Sequence, residues 1–261
     1  MMNDAEIVSY RVYPSPNASV ELTEITYMSG GMKVKGLLAE PKQEGEFEGI
    51  VYMRGGIQHV GMVRPARVAQ FASRGFVVFA PYYRGNRGGE GRDEFGGADL
   101  QDAVSSVDVL KQSTKWKDGR IHLFSFSRGG LMALWTAILR EDITSTVHWA
   151  GVSDVVFTYK EREDMRRMMK RVIGGSPNSA PDAYRERTAL FRVGEIDARV
   201  LIIHGLKDEN VSPEQSIMLE DALREAQKPV ETWYFPDYTH HFPSWHNAKI
   251  VRDLTDWMKA Q

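Results

Sequence analysis

The sequence contains no cysteine, and this sets the first limit on its chemistry. Disulfide bonds, a thiol nucleophile and cysteine-ligated zinc are all excluded. Histidine is sparse, with seven in 261 residues, and none belongs to an H-E-x-x-H or similar cluster. We therefore predict no metal and no cofactor, and any nucleophile must be Ser, Thr, Asp or Lys.

Long apolar runs and an excess of one charge are missing as well. No stretch approaches the roughly 18 uncharged apolar residues that span a bilayer, and the first twenty residues lack the apolar run of a secretory signal. The formal net charge is -2, with Lys and Arg spread along the chain, which argues against a nucleic-acid partner. We predict a cytoplasmic protein with no membrane or nucleic-acid partner, and the composition leaves an oligomer open.

Strand and helix patterns alternate from residue 50 onward. The run F-V-V-F-A at 76–80 is apolar at every position, as expected for a strand buried on both faces. Helical patterns at 65–75 and 213–226 lie among further apolar runs such as R-I-H-L-F-S-F and V-L-I-I-H-G. This alternation predicts an α/β fold with a mostly parallel sheet and helices on both faces. Three runs between 19 and 53 indicate a β-meander that enters the sheet.

The whole chain, 1–261, suits a single α/β domain without an internal repeat or linker. One segment, from about 155 to 190, breaks the rhythm because it is rich in charge, Met, Gly and Pro. Sites in parallel sheets lie at the carboxyl ends of the strands, so this insertion is predicted to cover that end as a small lid. The alternative is a surface helix and loop that never contacts substrate.

The segment L-F-S-F-S-R-G-G, residues 123–130, joins an apolar strand to a helix rich in Ala and Leu. A nucleophile elbow belongs at such a junction, and its positions two before and two after the nucleophile must be small. Ser127 has Ser125 before it, where glycine is usual, and Gly129 after it. Taking Ser125 itself as nucleophile would put Leu123 at a crowded position. We predict Ser127 as the nucleophile, with a helix-capping role as the alternative.

Candidates for the acid and the base follow in the chain order that α/β-hydrolases use, Ser, then acid, then His. Asp208 lies in the loop just after V-L-I-I-H-G, with Glu209 as a competing acid. A carboxylate there would orient the base and stabilise its imidazolium. The neighbours His240 and His241 follow the last apolar strand, and either could reach the nucleophile. His204, which ends the earlier strand, is predicted to hold the Asp208 loop by hydrogen bonding.

A tetrahedral intermediate also needs backbone N–H donors in an oxyanion hole. One donor is the residue after the nucleophile, Arg128, and the other comes from the loop after an early strand. That loop is M-R-G-G-I, residues 53–57, whose glycines let the main chain approach a substrate closely. We take Gly56 as the second donor, with an ordinary turn as the alternative reading of this loop.

Taken together, these segments resemble the catalytic domain of the prolyl oligopeptidase family, over nearly the whole chain from about Val20. The likeness is carried by P-Y-Y-R-G-N-R-G-G-E-G, S-F-S-R-G-G, H-G-L-K-D-E-N-V-S-P and F-P-D-Y-T-H-H-F. The family usually reads Tyr-Pro-x-x-Gly-His-Gly-Phe around its base, so the resemblance implies His240 as the base and His241 in place of a glycine. It usually has His-Gly-Gly-Pro in the oxyanion loop, where this chain has Arg at 54 and Ile at 57.

The resemblance implies an α/β-hydrolase fold and a serine hydrolase that cleaves an ester or amide (peptide) bond through an acyl-enzyme. Family peptidases carry a β-propeller before this domain, and the 261 residues contain none, so the predicted substrate is a short peptide or a small ester. The alternative functions are a carboxylesterase acting on small acyl esters and a catalytically silent binding protein of the same fold.

Overall fold

A computed structural model describes residues 3–261, apart from the side chains of residues 117 and 118. Within these residues the strands are β1 (Ile7–Tyr13), β2 (Val20–Ser29), β3 (Met32–Pro41), β4 (Phe47–Met53), β5 (Phe76–Pro81), β6 (Trp116–Phe126), β7 (Ser145–Trp149), β8 (Arg199–Gly205) and β9 (Val230–Phe235). They form one sheet in the order β1-β2-β3-β5-β4-β6-β7-β8-β9. β4 to β9 pair in parallel, and β1, β2 and β3 pair antiparallel with their neighbours.

The helices connect the parallel strands and supply the insertion. They are α1 (Pro65–Ala72), α2 (Leu100–Leu110), α3 (Gly129–Leu139), α4 (Val155–Glu161), α5 (Arg166–Ile173), α6 (Pro181–Arg187), α7 (Glu214–Glu225) and α8 (Ser244–Lys259), with 3-10 turns at Glu163–Met165 and Ala189–Glu195. The predicted helices at 65–75 and 213–226 correspond to α1 and α7. The apolar pattern near the end of the chain predicts a last helix over 248–259, and α8 begins four residues earlier, at Ser244.

Two apolar cores lie on opposite faces of the sheet. One contains buried side chains of α2, α3 and α7, such as Val107, Leu131 and Leu219. The other contains those of α1 and α8, such as Phe71 and Leu254. All six residues of β5 are buried, because helices cover a parallel strand on both sides. The predicted mostly parallel α/β fold is confirmed.

The first part of the chain departs from the prediction in two ways. A strand at 7–13 was not predicted; five of its seven residues are exposed, so it lacks a clear alternation between buried and exposed positions. The predicted meander is wrong for its third run, because β5 lies between β3 and β4. Burial of β4 on both faces requires a central position, and parallel pairing with β5 and β6 provides it.

The segment 155–190 contains α4, α5 and α6. It is hydrogen-bonded to the loop after β8, where Arg162 Nη1 donates to the Asn210 carbonyl at 2.6 Å and Glu161 accepts from the Ser212 amide at 3.0 Å. These bonds hold the insertion against the carboxyl ends of the strands, which is the edge that carries the predicted site.

Candidate active site

Ser127 lies on the turn between β6 and α3, with a backbone φ of +57°. This left-handed conformation is costly for a side chain with a Cβ, and it persists only where surrounding structure enforces it. Two hydrogen bonds to the β7 region do so: the Ser127 amide donates to Trp149 O at 3.1 Å, and the Val152 amide donates to Ser127 O at 3.0 Å. The turn has the strained geometry of a nucleophile elbow.

The crowding around this turn explains which residues the motif accepts. A Cβ at Gly129 would collide with the Met53 carbonyl of β4, so glycine is required there. Ser125 is fully buried, and its hydroxyl donates to Val147 O at 2.8 Å. The serine that stands in place of the usual glycine therefore fits because the neighbouring strand accepts its only donor.

Asp208 and His240 come from loops after β8 and β9 and meet at the same edge of the sheet. His240 Nδ1 lies 2.7 Å from Asp208 Oδ2, and both residues are buried. Since the carboxylate can only accept, Nδ1 carries the proton and Nε2 is left for another partner. The competing acid Glu209 is exposed.

His204, at the end of β8, contacts the same carboxylate, in agreement with the predicted hydrogen bonding of this residue to the Asp208 loop. Its Nε2 lies 3.3 Å from Asp208 Oδ2 and 3.0 Å from Val211 O. Both neighbours only accept hydrogen bonds, so Nε2 must carry a proton. The other ring nitrogen, Nδ1, lies 2.6 Å from the Ser216 hydroxyl, and this contact fixes the orientation of the ring.

Asp208 Oδ1 accepts from the amides of Asn210 and Val211 at 2.8 and 3.0 Å. Burial opposes ionisation of Asp208, but hydrogen bonds from His204, His240 and the Val211 amide outweigh it and lower the pKa of the carboxyl well below its usual range. The group is therefore a fixed anion, which suits a partner for an imidazolium.

His240, the predicted base, lies next to the turn that carries Ser127. Phe126, which immediately precedes Ser127, has its ring centroid 4.7 Å from that of His240 and 5.6 Å from that of His241. His241 is exposed, and among the described residues its ring makes no hydrogen bond to Asp208. Partial desolvation of the ring, together with the neighbouring His240 and Arg64, lowers the pKa of His241. Only His240 of the two is held by the acid.

The oxyanion loop lies against the nucleophile turn. A Cβ on Gly55 would come within 2.8 Å of Ser127 Cβ, and Gly56 has a φ of +65° that favours glycine. The Arg128 amide is at the N-terminus of α3, where unpaired N–H groups stabilise negative charge. Within the described residues, neither this amide nor that of Gly56 donates a hydrogen bond.

A buried cluster of four charges, which we call the arginine cluster, supports this loop from behind. Arg128 reaches Asp93 at 2.7 Å and also pairs with Asp99, and Arg54 reaches Asp93 at 3.1 Å. All four side chains are at most 2% exposed. Arg128 Nη1 also donates to Gly56 O at 2.9 Å. The two guanidinium groups thus hold the oxyanion loop in place. Arg54 is the residue of this loop that stands where the family usually has histidine.

The charges in this cluster perturb one another. Burial raises the pKa of Asp99 to about 6, with Arg128 opposing this effect and Asp93 adding to it. Burial also disfavours ionisation of Asp93, but Arg128 and Arg54 hold the pKa of that carboxyl below its usual range. The arginine cluster was not predicted from the sequence; a signal that could indicate it is that Asp93 and Asp99 follow the segment P-Y-Y-R-G-N-R-G-G-E-G, residues 81–91, which resembles the family.

Within the described part of the chain, no three His, Asp or Glu side chains are grouped so that they could hold a metal ion. A search of the same residues found no helix with both the length and the apolar character to cross a membrane.

Comparisons with known proteins show the family to which the chain belongs. Residues 62–261 match the model of the prolyl oligopeptidase family. The uncharacterized peptidase YtmA of Bacillus subtilis is 55% identical over 97% of this chain and 99% of its own length. Dipeptidyl-peptidase 5 of Porphyromonas endodontalis is 26% identical over 82% of this chain, which spans 34% of that relative.

Solved structures share the fold. Pyrococcus horikoshii acylaminoacyl peptidase has a TM-score of 0.80 at 21% identity, over 93% of this chain and 42% of its own. The acetyl xylan esterase from Paenibacillus sp. R4 has a TM-score of 0.74 at 17% identity, over 94% of this chain and 87% of its own. The family match and the YtmA identity show that the chain is an α/β-hydrolase belonging to the prolyl oligopeptidase family of serine peptidases.

Proposed function

We propose that the chain hydrolyses the peptide bond of a short peptide through an acyl-enzyme on Ser127, with His240 as general base and Asp208 as its orienting acid. The observation that carries the proposal is the 2.7 Å contact between His240 Nδ1 and Asp208 Oδ2, beside a serine held at a φ of +57°. A strained serine next to a histidine whose tautomer is fixed is the arrangement that nucleophilic acyl transfer requires.

The reaction proceeds in two stages. Ser127 Oγ attacks the carbonyl carbon while His240 Nε2 takes its proton, and the amides of Arg128 and Gly56 stabilise the oxyanion. His240 then gives this proton to the leaving amine as the C–N bond breaks. Water, deprotonated by His240, attacks the acyl-enzyme, and the proton returns to Ser127 as the acid product leaves.

A second candidate reaction is hydrolysis of small acyl esters by the same residues. It is favoured by a structural likeness, since an acetyl xylan esterase shares the fold over 94% of this chain with a TM-score of 0.74. Ester and amide cleavage share the nucleophile and differ in the leaving group, so one site could serve both. Single-domain organisation, a covering role for the insertion at 155–190 and a cytoplasmic location stay predictions.

Labelling with a fluorophosphonate, followed by turnover of matched substrates, tests the proposal. Wild type and Ser125→Ala should react and cleave aminoacyl p-nitroanilides, whereas Ser127→Ala should do neither. Cleavage of p-nitrophenyl butyrate alone, abolished by Ser127→Ala, would favour the esterase. Absence of labelling in wild type would contradict the triad and favour a catalytically silent binding protein, while activity that survives Ser127→Ala would assign the nucleophile elsewhere.

A further inference from the structure

A cavity of about 510 Å³ lies at the carboxyl ends of β4 and β5, between three segments of the chain. The segment directly after the oxyanion loop contributes Gln58 and His59, the loop after β5 contributes Arg92 and its neighbours, and α5 of the insertion contributes Arg171. Because three separate elements form its walls, the cavity depends on the insertion and is a product of the tertiary fold.

The cavity adjoins the predicted reaction centre. The oxyanion loop touches Ser127 at Gly55, and Gln58 and His59 of the cavity wall follow three and four residues later. These two residues therefore lie within about 11–14 Å of Gly55. A substrate whose scissile carbonyl lies at Ser127 can therefore reach the cavity with a group up to about four residues from that bond.

The charged side chains in the cavity walls differ in whether they have hydrogen-bond or ion-pair partners. Asp93 is neutralised by two arginines of the arginine cluster and accepts from the Gln58 amide at 3.1 Å. Glu94 accepts from the Ala98 amide at 2.9 Å. Arg92 and Arg171, in contrast, are exposed, and within the described residues neither guanidinium group makes an ion pair or hydrogen bond. The acids are thus engaged, whereas two guanidinium groups remain free.

We propose that this cavity is a substrate subsite that binds a carboxylate, through Arg92 and Arg171, a few bonds from the scissile carbonyl. Guanidinium groups bind carboxylates in paired, charge-assisted hydrogen bonds. The substrate class is therefore an acidic short peptide, with Glu or Asp near the bond that is cleaved. This proposal rests on the proposed function, because it assumes acyl transfer at Ser127.

Matched peptides test the proposal. We expect wild type to cleave Ac-Glu-Ala-p-nitroanilide with a kcat/KM at least about tenfold higher than that for Ac-Gln-Ala-p-nitroanilide. This factor corresponds to the free energy of one charge-assisted hydrogen bond. Ac-Lys-Ala-p-nitroanilide should have the lowest kcat/KM of the three.

Arg171→Gln and Arg92→Gln should each bring the Glu to Gln ratio of kcat/KM towards one, mainly through KM. The control Arg167→Gln, on α5 but outside the cavity wall, should keep the ratio. Salt should lower it.

The same acyl groups are also measured as thiobenzyl esters, so that the Glu to Gln ratio of kcat/KM is obtained even if the protein is an esterase. A ratio near one in wild type, or a ratio that neither arginine variant changes, would overturn the subsite while leaving the triad intact. Failure of the proposed function has a different signature, namely no fluorophosphonate labelling of Ser127. If the enzyme is labelled but turns over no peptide, the peptides are compared as competitors of labelling, and equal protection by the Glu and Gln peptides would overturn the subsite.

Discussion

The two halves of the proposed site are held in position by different physical means. The acid–base half, Asp208 and His240, depends on directional hydrogen bonds around one carboxylate, with lengths of 2.7 to 3.3 Å. The oxyanion half depends on the arginine cluster, in which two guanidinium groups and two carboxylates are almost completely removed from water.

This difference has consequences for mutation. Breaking a buried ion pair leaves an uncompensated charge, which costs far more than losing one hydrogen bond at the edge of the site. The acid–base half should therefore tolerate substitution with loss of activity but little loss of fold. The oxyanion half should lose stability and activity together.

The largest effect is expected at the base. His240→Ala should lower kcat by up to about 10⁶-fold, because the proposed general base is then missing. The exposed neighbour His241→Ala serves as the control and should keep most of the activity. Turnover of the ester and anilide panel measures both, with urea unfolding to verify the fold. Equal losses in the two variants would contradict the assignment of His240 and weaken the contrast with the oxyanion half.

A smaller but global effect is expected in the arginine cluster. Arg128→Met keeps the backbone donor and most of the side-chain volume but leaves Asp93 and Asp99 without their shared partner. The free energy of unfolding should fall by about 3–5 kcal/mol, measured by urea denaturation. Exposed Arg171→Met should change it by less than about 0.5 kcal/mol. Equal stability of the two variants would show that the cluster does not hold the oxyanion half together.

The smallest effect concerns the support of the acid. His204→Phe removes the Nε2–H donor to Asp208 and should cost about 2 kcal/mol at neutral pH, whereas His204→Gln retains a donor and should cost less. Because Asp208 has a lowered folded-state pKa, its contribution is present above the unfolded pKa of about 4 and is lost as the pH falls. The gap between wild type and His204→Phe should therefore persist down to about pH 4 and close only as the pH falls through the lowered folded-state pKa of Asp208.

Unfolding curves between about pH 1.5 and 7 measure this gap, so that the range extends towards the lowered folded-state pKa of Asp208. A constant gap across that range would mean that His204 acts through packing and not through the Asp208 carboxylate. A parallel kcat profile separates the roles further, since a residue that positions the acid should alter kcat more than KM.

Much of the parallel half of the fold follows from local sequence. The apolar runs of β5 and β8 record burial on both faces, and the helices between them show their amphipathic period, so the α/β class could be predicted. The order of strands could not. The hydrophobic pattern of a strand shows whether the strand is buried but not which strand lies beside it. The pattern therefore predicts a meander for the third N-terminal run, whereas this run, β4, lies between β5 and β6.

The sequence alone predicts Ser127 as the nucleophile, with a helix cap as the alternative, and Asp208 as the acid, with Glu209 as the competitor, because small residues and a loop after a buried strand are local requirements. It left His240 and His241 equivalent until the family resemblance was considered, and only the folded loops bring one of them to Asp208 Oδ2. The partners of Arg128, at Asp93 and Asp99, were likewise decided by tertiary structure. Ion pairing between residues about 30 positions apart depends on how the strands are ordered, and that order is a property of the complete sheet.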